Sequence, residues 1–590
     1  DSMTGAYRAR AVGEKSPPSQ AAEFQFALSE EAWDTLDGFL KPPEGHHLHG
    51  LPERGAIGII TPSTGDRRTT YLLQKVVEPG PGDVYFDGQL KFHPDYTLRA
   101  INEAAEVPGA GLIFIHTHPG SGATPSGPDK IADKEELYDI GLNLGSEVPL
   151  AAGIVTDRPN PETGQREWSV RAYEFVYPNS SKAEGASRTG EETGEFTHAT
   201  AVRVVGERIK KLPTIRDASG PAGTGGAIDS EAQDSTVELW GERGQQTLAG
   251  FRVGVVGLGG VGSLLAEQLA RLGVEETVFV DFDYLERANL NRSYGATADD
   301  VGKPKVEVAK KVAERSATNP RFTAQAEYGS VVEEDEEHAC LPQLLDCDVI
   351  INAADTHWVR FLLDEVSHAH LIPVLDGGTE LIPNDKKDEL DIGSGSLVSA
   401  TGPGHPCLEC TGHWFHGDEE EGVIHDREPD AARGAGYVQG LDDGEELADD
   451  GEGDERAPSV ATNNGLVASL LALRFQALAV GITSQALVGS QEYDALFGTV
   501  DWQEDSNNEK RISCKEDCDR KEALARGDHY ELPTEPDPTF RKVLEEHREG
   551  NQQRQTAEPD DEEQTERGVF QRITAYVARL VNRSSKESSQ

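Results

Sequence analysis

The sequence predicts an α/β protein of at least two domains, the second built on a doubly wound parallel sheet. Three observations carry this. The chain has 590 residues, more than one hydrophobic core usually organises. In its first third, short β-branched runs alternate with segments of helical spacing. Further on, "FRVGVVGLGGVGSLLAEQLARLGVEETVFVDFD" reads as strand, glycine turn, helix and strand, the order of a parallel βαβ unit.

In chain order, residues 1–21 read as a flexible polar tail and residues 22–178 as the first domain. There "GAIGII", "TTYLLQKVV", "GLIFIHTH" and "LAAGIV" have the length and β-branched content of strands, while "HPDYTLRAINEAAE" and "PDKIADKEELYDIGLNL" have helical spacing. Residues 179–233, rich in Ser, Gly, Thr and Glu, read as a linker in which "ATAVRVVGERIKKL" forms one short helix. The second domain covers 234–500 and carries an acidic, Gly-rich insertion at 417–458. Residues 501–590 read as a tail ending on a basic amphipathic helix, "GVFQRITAYVARLVNR", suited to a membrane surface, a partner or the protein's own acidic surface.

Lys plus Arg number 55 against 105 Asp plus Glu, a formal net charge of -50. Such a balance argues against nucleic acid as a partner, because phosphate contacts need positive charge. The six Cys all lie in the second half, a usage that points to reduced thiols or metal ligands and not to a secreted disulfide framework. No signal-type segment and no run of eighteen apolar residues stand out, so a soluble, cytoplasmic protein is expected.

"FIHTHPGSGATPSGPDK" places His116 and His118 two apart on a strand, hence on one face, with Ser126 as the cap of a following helix and Asp129 in its first turn. Two imidazoles and a carboxylate are zinc ligands, and three protein ligands leave a position open for catalysis. The tract "GHHLHG" offers His46, His47 and His49 as a rival set, in a loop and without a carboxylate at ligand spacing. His, one residue, His, ten residues, Asp, with Pro119 and Ser126 in place, resembles the JAMM (MPN-plus, Mov34/JAB) metallopeptidase family. The resemblance implies an N-terminal α/β metallopeptidase domain holding a catalytic zinc on His116, His118 and Asp129. It also implies Glu53 as general acid/base, Ser126 on the oxyanion, and a ubiquitin-like protein as substrate.

In the βαβ unit, Gly257, Gly259, Gly260 and Gly262 form the turn and Asp281 ends the next strand, the arrangement that holds phosphates on a helix N-terminus and a ribose on an acid. An NAD-binding Rossmann protein fits these residues equally well. "ANLNRSYGATADDVGKPK" adds Arg292 and Lys305, cations that suit charge gathering at an α-phosphorus better than hydride transfer. Together with "INAADT", these segments resemble the ThiF/MoeB and ubiquitin-activating adenylyltransferase family. The resemblance implies a Rossmann-like domain that uses ATP and Mg, with Asp281 on ribose, Asn289, Arg292 and Lys305 around the phosphates, and Asp355 on magnesium. It departs from the family in the stretch "AQDSTVELWGERGQQTL", where Ser235 stands near the place of an Arg usually supplied to the partner subunit, and Arg243 is a possible substitute.

Cys407 with Cys410, and Cys514 with Cys518, make two close pairs with the spacing of a four-thiolate structural zinc. Cys407 or Cys410 as a thioester nucleophile stays open as a rival, while Cys340 and Cys347 read as buried thiols. The combined expectation is an enzyme that processes and activates the C-terminus of a ubiquitin-like or sulfur-carrier protein. It would work as a homodimer through the adenylyltransferase domain and hand over to a conjugating enzyme if one exists. A non-catalytic regulatory scaffold is the rival class, and it would show neither bound zinc nor ATP–pyrophosphate exchange.

Overall fold

The computed structural model describes residues 23–41, 53–87, 89–120, 122–145, 147–161, 164–175, 194–215, 225–331, 339–355, 357–382, 393–411, 459–481, 489–494, 498–502, 513–515 and 518–532. The tail 1–21, the histidine tract 45–50, the acidic insertion and the C-terminal amphipathic helix lie outside the described residues.

The first domain holds strands β1 (Glu23–Ser29), β2 (Gly55–Thr64), β3 (Arg68–Val77), β4 (Val84–Phe86), β5 (Leu90–Phe92), β6 (Gly111–His118), β7 (Leu150–Thr156), β8 (Trp168–Phe175), β9 (Gly194–His198), β10 (Ala201–Val205) and β11 (Ile209–Pro213). Its helices are α1 (Glu30–Leu40), α2 (Pro94–Ala105) and α3 (Gly127–Leu144). Nine strands form one mixed sheet in the order β11-β10-β1-β3-β2-β6-β7-β8-β9, with β4 and β5 as a separate ribbon. Strand alternation splits the core. Ile113 and Ile115 pack toward Leu36 and Leu40 of α1, whereas Leu112 and Phe114 pack toward Tyr96 of α2 and Leu137 of α3.

The expected linker 179–233 is corrected here, since β9, β10 and β11 within it complete the sheet and no helix forms at "ATAVRVVGERIKKL". Val202, Val204, Val205, Ile209 and Leu212 have an apolar spacing open to either period. The turn at Gly206, whose N–H donates to the Arg208 carbonyl at 3.1 Å, folds the stretch back into a hairpin with Val205 opposite Ile209. An edge of β1 waiting for a parallel partner decides the outcome.

The second domain begins with α4 (Asp234–Ala249) and continues through β12 (Arg252–Val256), α5 (Gly260–Leu272), β13 (Glu276–Asp281), α6 (Lys305–Ser316), β14 (Thr323–Tyr328), α7 (Leu341–Leu345), β15 (Val349–Asn352), α8 (His357–Ala369) and β16 (Val374–Ile382). After these come β17 (Gly393–Thr401), α9 (Ala461–Val480), β18 (Gln491–Asp494), β19 (Thr499–Trp502) and α10 (Arg520–Ala523). The sheet order is β14-β13-β12-β15-β16-β17-β18-β19, parallel from β14 to β16 and antiparallel beyond. The strand order reverses between β12 and β15, the switch point at which doubly wound folds place their ligands. No helix among the described residues is long and apolar enough to cross a membrane.

The domains are docked by a buried charge cluster and by a shared apolar core. Ala27, Leu72, Val205 and Ile209 of the first domain belong to the same buried cluster as Leu248, Phe251 and Phe475 of the second. Beside it, Asp348 sits 1 % exposed at the start of β15, with Arg68 Nη1 at 3.0 Å, Lys211 Nζ at 2.9 Å and Arg203 Nη1 at 3.8 Å. The Arg252 N–H donates to the same carboxylate at 3.0 Å. Asp346 accepts the backbone N–H groups of Arg67 and Arg68, each at 2.9 Å. Burial alone would push Asp348 up, but Lys211, Arg68 and Arg203 more than reverse this and hold it far below the usual carboxylate range.

Asp348→Asn leaves three buried cations without their counter-charge and should cost about 3–5 kcal/mol in denaturant unfolding of the whole chain at pH 7. Because the folded pKa is depressed, this contribution is complete above the unfolded Asp value of about 3.9 and is lost as pH falls through the folded value. The gap between variant and parent should therefore narrow in acid, and a pH-independent gap would contradict the assignment.

Candidate functional site

The first constellation lies where β6 meets the N-terminus of α3. His116 and His118 continue the face of Leu112 and Phe114, so both rings point under α3. Ser126 caps that helix. Its hydroxyl accepts the Asp129 N–H at 3.2 Å, and its own N–H donates to Asp129 Oδ2 at 2.6 Å. The reciprocal pair fixes the Asp129 carboxylate over the two rings, with Oδ1 3.7 Å from His116 Nε2 and Oδ2 3.3 Å from His118 Nε2. One ligand atom from each of the three residues lies within 4.8 Å of the others.

The chemistry of these donors fits a metal. His116 Nε2 is buried and has no hydrogen-bond partner among the described residues, an orphan lone pair aimed at the carboxylate side. Burial, with the charges of His118 and Arg171, holds His116 down to about 4 against the pull of Asp129, so the imidazole is neutral near pH 7. Burial pushes the other way on Asp129, but hydrogen bonds from His118 and Ser126 hold its carboxyl well below the usual range. A neutral imidazole and an ionised carboxylate are the forms that bind zinc.

Glu53 arrives from the strand next door. Gly55 pairs with His116, and Arg54 and Thr117 exchange two bonds, N–H to hydroxyl at 2.9 Å and N–H to carbonyl at 2.8 Å. That clasp brings the Glu53 carboxyl into the field of His118 and Asp129 and under the Leu90 N–H of β5. Burial and the negative Asp129 push Glu53 up, with His118 opposing, the direction that suits a group exchanging protons. Ser126 is exposed beside the cluster, and its hydroxyl serves Asp129, accepting that residue's N–H and bonding its carboxylate. Sequence reasoning missed Asp133 and Arg171. One turn beyond Asp129, Asp133 pairs with Arg171 Nη2 at 2.5 Å, pinning α3 to β8 beneath the site. The Asp129/Asp133 spacing was a usable signal; Arg171, two strands from His116, had none.

The second constellation lies at the switch point. Gly257 leaves β12 with φ +82, and a Cβ there would stand 2.6 Å from the Ala354 N atom. At Gly262 a Cβ would stand 1.9 Å from the Gly257 carbonyl oxygen, so both positions require glycine. Gly260 packs against Asn464 of α9, and Gly259, the N-cap of α5, faces open space. Asp281 ends β13 and accepts the Leu258 N–H at 2.6 Å and the Asp283 N–H at 2.8 Å, which fixes it under the turn. Burial pushes its carboxyl up to about 6, with Asp283 adding and Lys305 opposing.

Lys305 bonds Asp283 at 2.7 Å, and although burial disfavours its charge, Asp281, Asp283 and Asp355 hold the ammonium above the ordinary lysine value. The structure thus brings Asp281, Lys305 and Asp355 to one mouth, with Asp355 exposed beyond the end of β15. Asp283 is the member that sequence reasoning passed over, although "DFD" holds it two residues from Asp281. Asn289 and Arg292 lie on the connection between β13 and α6, but their side chains serve it locally. Asn289 Oδ1 accepts the Glu286 N–H at 2.9 Å, and Arg292 donates to the Ala288 carbonyl at 3.1 Å. Arg243 is exposed on α4.

The cysteines form a third cluster. The sulfur atoms of Cys407, Cys410, Cys514 and Cys518 lie within 4.8 Å of one another. Backbone N–H groups aim at all four: Cys410 N–H at Cys407 Sγ (3.3 Å), Cys407 N–H at Cys514 Sγ (3.2 Å), Lys515 N–H at Cys410 Sγ (3.4 Å) and the Arg520 N–H at Cys518. Four converging sulfurs ringed by N–H donors suit thiolates around a cation, and no side chain among these hydrogen bonds marks one cysteine as a nucleophile. Cys340 and Cys347 are buried.

Residues 232–516 match the ThiF family. Over 150 residues the chain is 34% identical to the SAMP-activating enzyme E1 of Haloferax volcanii, covering 25% of this chain and 53% of that protein. It is 29% identical over 171 residues to the sulfur carrier protein ThiS adenylyltransferase of Bacillus subtilis, covering 29% and 46%. With the molybdopterin-synthase adenylyltransferase of Escherichia coli it shares 28% identity over 172 residues, covering 29% and 63%. The chain spans about half the length of these relatives. The glycine turn, the Asp281–Lys305–Asp355 mouth and three of the four clustered cysteines, Cys407, Cys410 and Cys514, fall inside the matched residues, and the chain therefore carries a ThiF family domain at 232–516.

Proposed function

We propose that the protein processes and then activates the C-terminus of a ubiquitin-like or sulfur-carrier protein, with a zinc (iso)peptidase of JAMM type in the first domain and an ATP-dependent adenylyltransferase in the second. The observation that carries the reading is the mouth at the switch point, where the ThiF match coincides with Asp281, Lys305 and Asp355 around the glycine turn. The peptidase half is supported by the orphan Nε2 of His116 beside Asp129 and by the raised Glu53.

In the second domain the carrier's terminal carboxylate attacks the α-phosphorus of ATP, forming the acyl-adenylate and releasing pyrophosphate. The backbone N–H groups at Gly259 and Gly260 face the phosphates and Asp281 takes the ribose hydroxyls. Lys305 neutralises charge at the reacting phosphate, and Asn289 and Arg292 would join it only by releasing their local bonds to Glu286 and Ala288 when the nucleotide binds. Magnesium, when bound at Asp355, supplies further neutralisation of the triphosphate.

In the first domain His116, His118 and Asp129 would hold zinc, which supplies Lewis-acid activation of water and of the scissile carbonyl. Glu53 takes the proton of the attacking water and returns it to the leaving amine. The Ser126 hydroxyl donates to the oxyanion. Cys407, Cys410, Cys514 and Cys518 would hold a structural zinc. A homodimer through the ThiF domain and transfer to a conjugating enzyme belong to the same proposal.

His118→Ala should abolish cleavage of a ubiquitin-like fusion and leave carrier-dependent ATP–pyrophosphate exchange intact; full cleavage by that variant contradicts the metal set. Glu53→Gln should keep zinc and lose turnover by about 10²–10⁴-fold, the span of general acid–base catalysis, and the acid limb of the parent's profile should lie above the ordinary Glu value of about 4.3.

Asp355→Ala should remove exchange while cleavage persists, and NAD binding with hydride transfer would instead favour a generic dinucleotide domain. Cys514→Ser should release metal and destabilise the ThiF domain. A reductant-sensitive thioester on Cys407 or Cys410 of a zinc-free, folded chain contradicts the structural assignment.

A further inference from the structure

Residues beyond the last cysteine bind both domains at once. On the ThiF side, Arg520 of α10, two residues past Cys518, is 4 % exposed and bonds Asp364 at 3.0 Å and Glu365 at 2.7 Å. Asp364 also accepts the Leu408 N–H at 3.2 Å, so one carboxylate ties the turn within the first cysteine pair to the segment that follows the second. Tyr530 closes this side with a bond to Glu365 at 2.7 Å.

On the other side the same short segment grips the end of β2. The Thr61 hydroxyl donates to the Ala525 carbonyl at 2.6 Å, and the Thr64 N–H donates to Asp528 Oδ1 at 2.9 Å. Gly527, at φ +56, lies so close that a Cβ would stand 2.0 Å from the Pro62 carbonyl oxygen. Ala525 holds a left-handed φ of 55, a conformation costly for a residue with a side chain, while its N–H bonds the His368 carbonyl at 3.0 Å.

The segment has little core of its own. From 513 to 532 its buried apolar residues, among those described, are Ala523, Ala525 and Leu532. Such a stretch cannot offset its own ordering entropy by burial, so the order must come from its attachment.

We propose that residues 520–532 are a clip between the two catalytic domains and that the four-cysteine site is its latch: metal held by Cys407, Cys410, Cys514 and Cys518 fixes the clip on Thr61–Thr64 of the first domain. The inference rests on the structural-zinc reading of that cluster and gives it a second task, coupling metal occupancy in one domain to the docking of the other. By linkage the coupling is reciprocal, so loss of the clip's contact with β2 must weaken zinc binding by the same factor by which zinc strengthens the contact.

Hydrogen exchange read by mass spectrometry on the full chain tests this, with zinc content measured in parallel. Emptying the cysteine site with a chelator should speed exchange of the Thr61–Thr64 stretch and of 523–530. The Arg67 and Arg68 amides, held by Asp346, should stay protected. His118→Ala, which removes only the first-domain ligand, should leave that pattern unchanged. Gly527→Val blocks the contact without touching a cysteine and should weaken zinc affinity in chelator competition, by about 5–150-fold if the coupling is of the usual size. Unchanged exchange at Thr61–Thr64 with the site emptied, or parental zinc affinity in Gly527→Val, overturns the clip while leaving the structural zinc standing. A folded chain that binds no metal on its cysteines overturns both.

Discussion

Asp348 is the constraint on which the docked architecture depends. Its carboxylate stands at the start of β15, inside the second domain, yet two of the cations nearest to it, Arg68 and Lys211, come from β3 and β11 of the first. Arg203 on β10 is fully buried and has Asp348 as its nearest ion partner, and burial with the charge of Arg68 pushes its guanidinium down to about 9. Without that carboxylate, the β11-β10-β1-β3 side of the sheet would present buried positive charge to the core around Phe251 and Phe475. Buried ion clusters of this kind add little net stability over an apolar replacement, but breaking one is expensive, so the cluster selects one docking geometry over others. The same strand, β15, runs on to Asn352 and delivers Asp355 at the switch point, so one element carries the joint at its start and a site residue beyond its end.

Both proposed reaction centres follow a common construction. Each takes its residues from the C-terminal end of a parallel strand and the N-terminus of the next helix: β6 and α3 for His116, His118 and Asp129, β12 and α5 for the glycine turn. At such places backbone N–H groups are unspent and the helix dipole favours negative charge, which suits an ionised Asp129 in one case and a phosphate in the other. Neighbouring strands then bring the proton-handling or charged partner, Glu53 from just before the antiparallel β2 and Asp281 from the end of β13. Reactivity is tuned by burial against nearby charge: Asp129 is held ionised, His116 neutral, and Glu53 and Asp281 are pushed up.

Much of this was legible in the sequence, and what was not has a physical reason. His116, His118 and Asp129 converge because spacing within one strand–loop–helix unit is local information. Gly257 and Gly262 are equally legible, since backbone approach excludes every other residue there. The strands β9 to β11 carry the local signature of a linker and a helix, because their partner, β1, lies far back in the chain and its open edge leaves no local trace. The clip has the sequence of a tail for a similar reason. Its order comes from Arg520, Tyr530 and Asp528 reaching groups on two other elements, and polar residues near a chain end resemble a solvated tail until those partners are seen. The docking cluster was invisible altogether, because Asp348 draws Arg68, Arg203 and Lys211 from distant parts of the chain.

The central claim is that one chain prepares a carrier's C-terminus at the first site and activates it at the second. Its most direct test is mass spectrometry of a ubiquitin-like carrier extended beyond its terminal glycines, incubated with the full chain, zinc and ATP, and sampled over time. The account predicts that the extension is lost first and that the acyl-adenylate appears only on the trimmed carrier. Adenylate on the untrimmed carrier, or an extension that survives while activation proceeds, would contradict it.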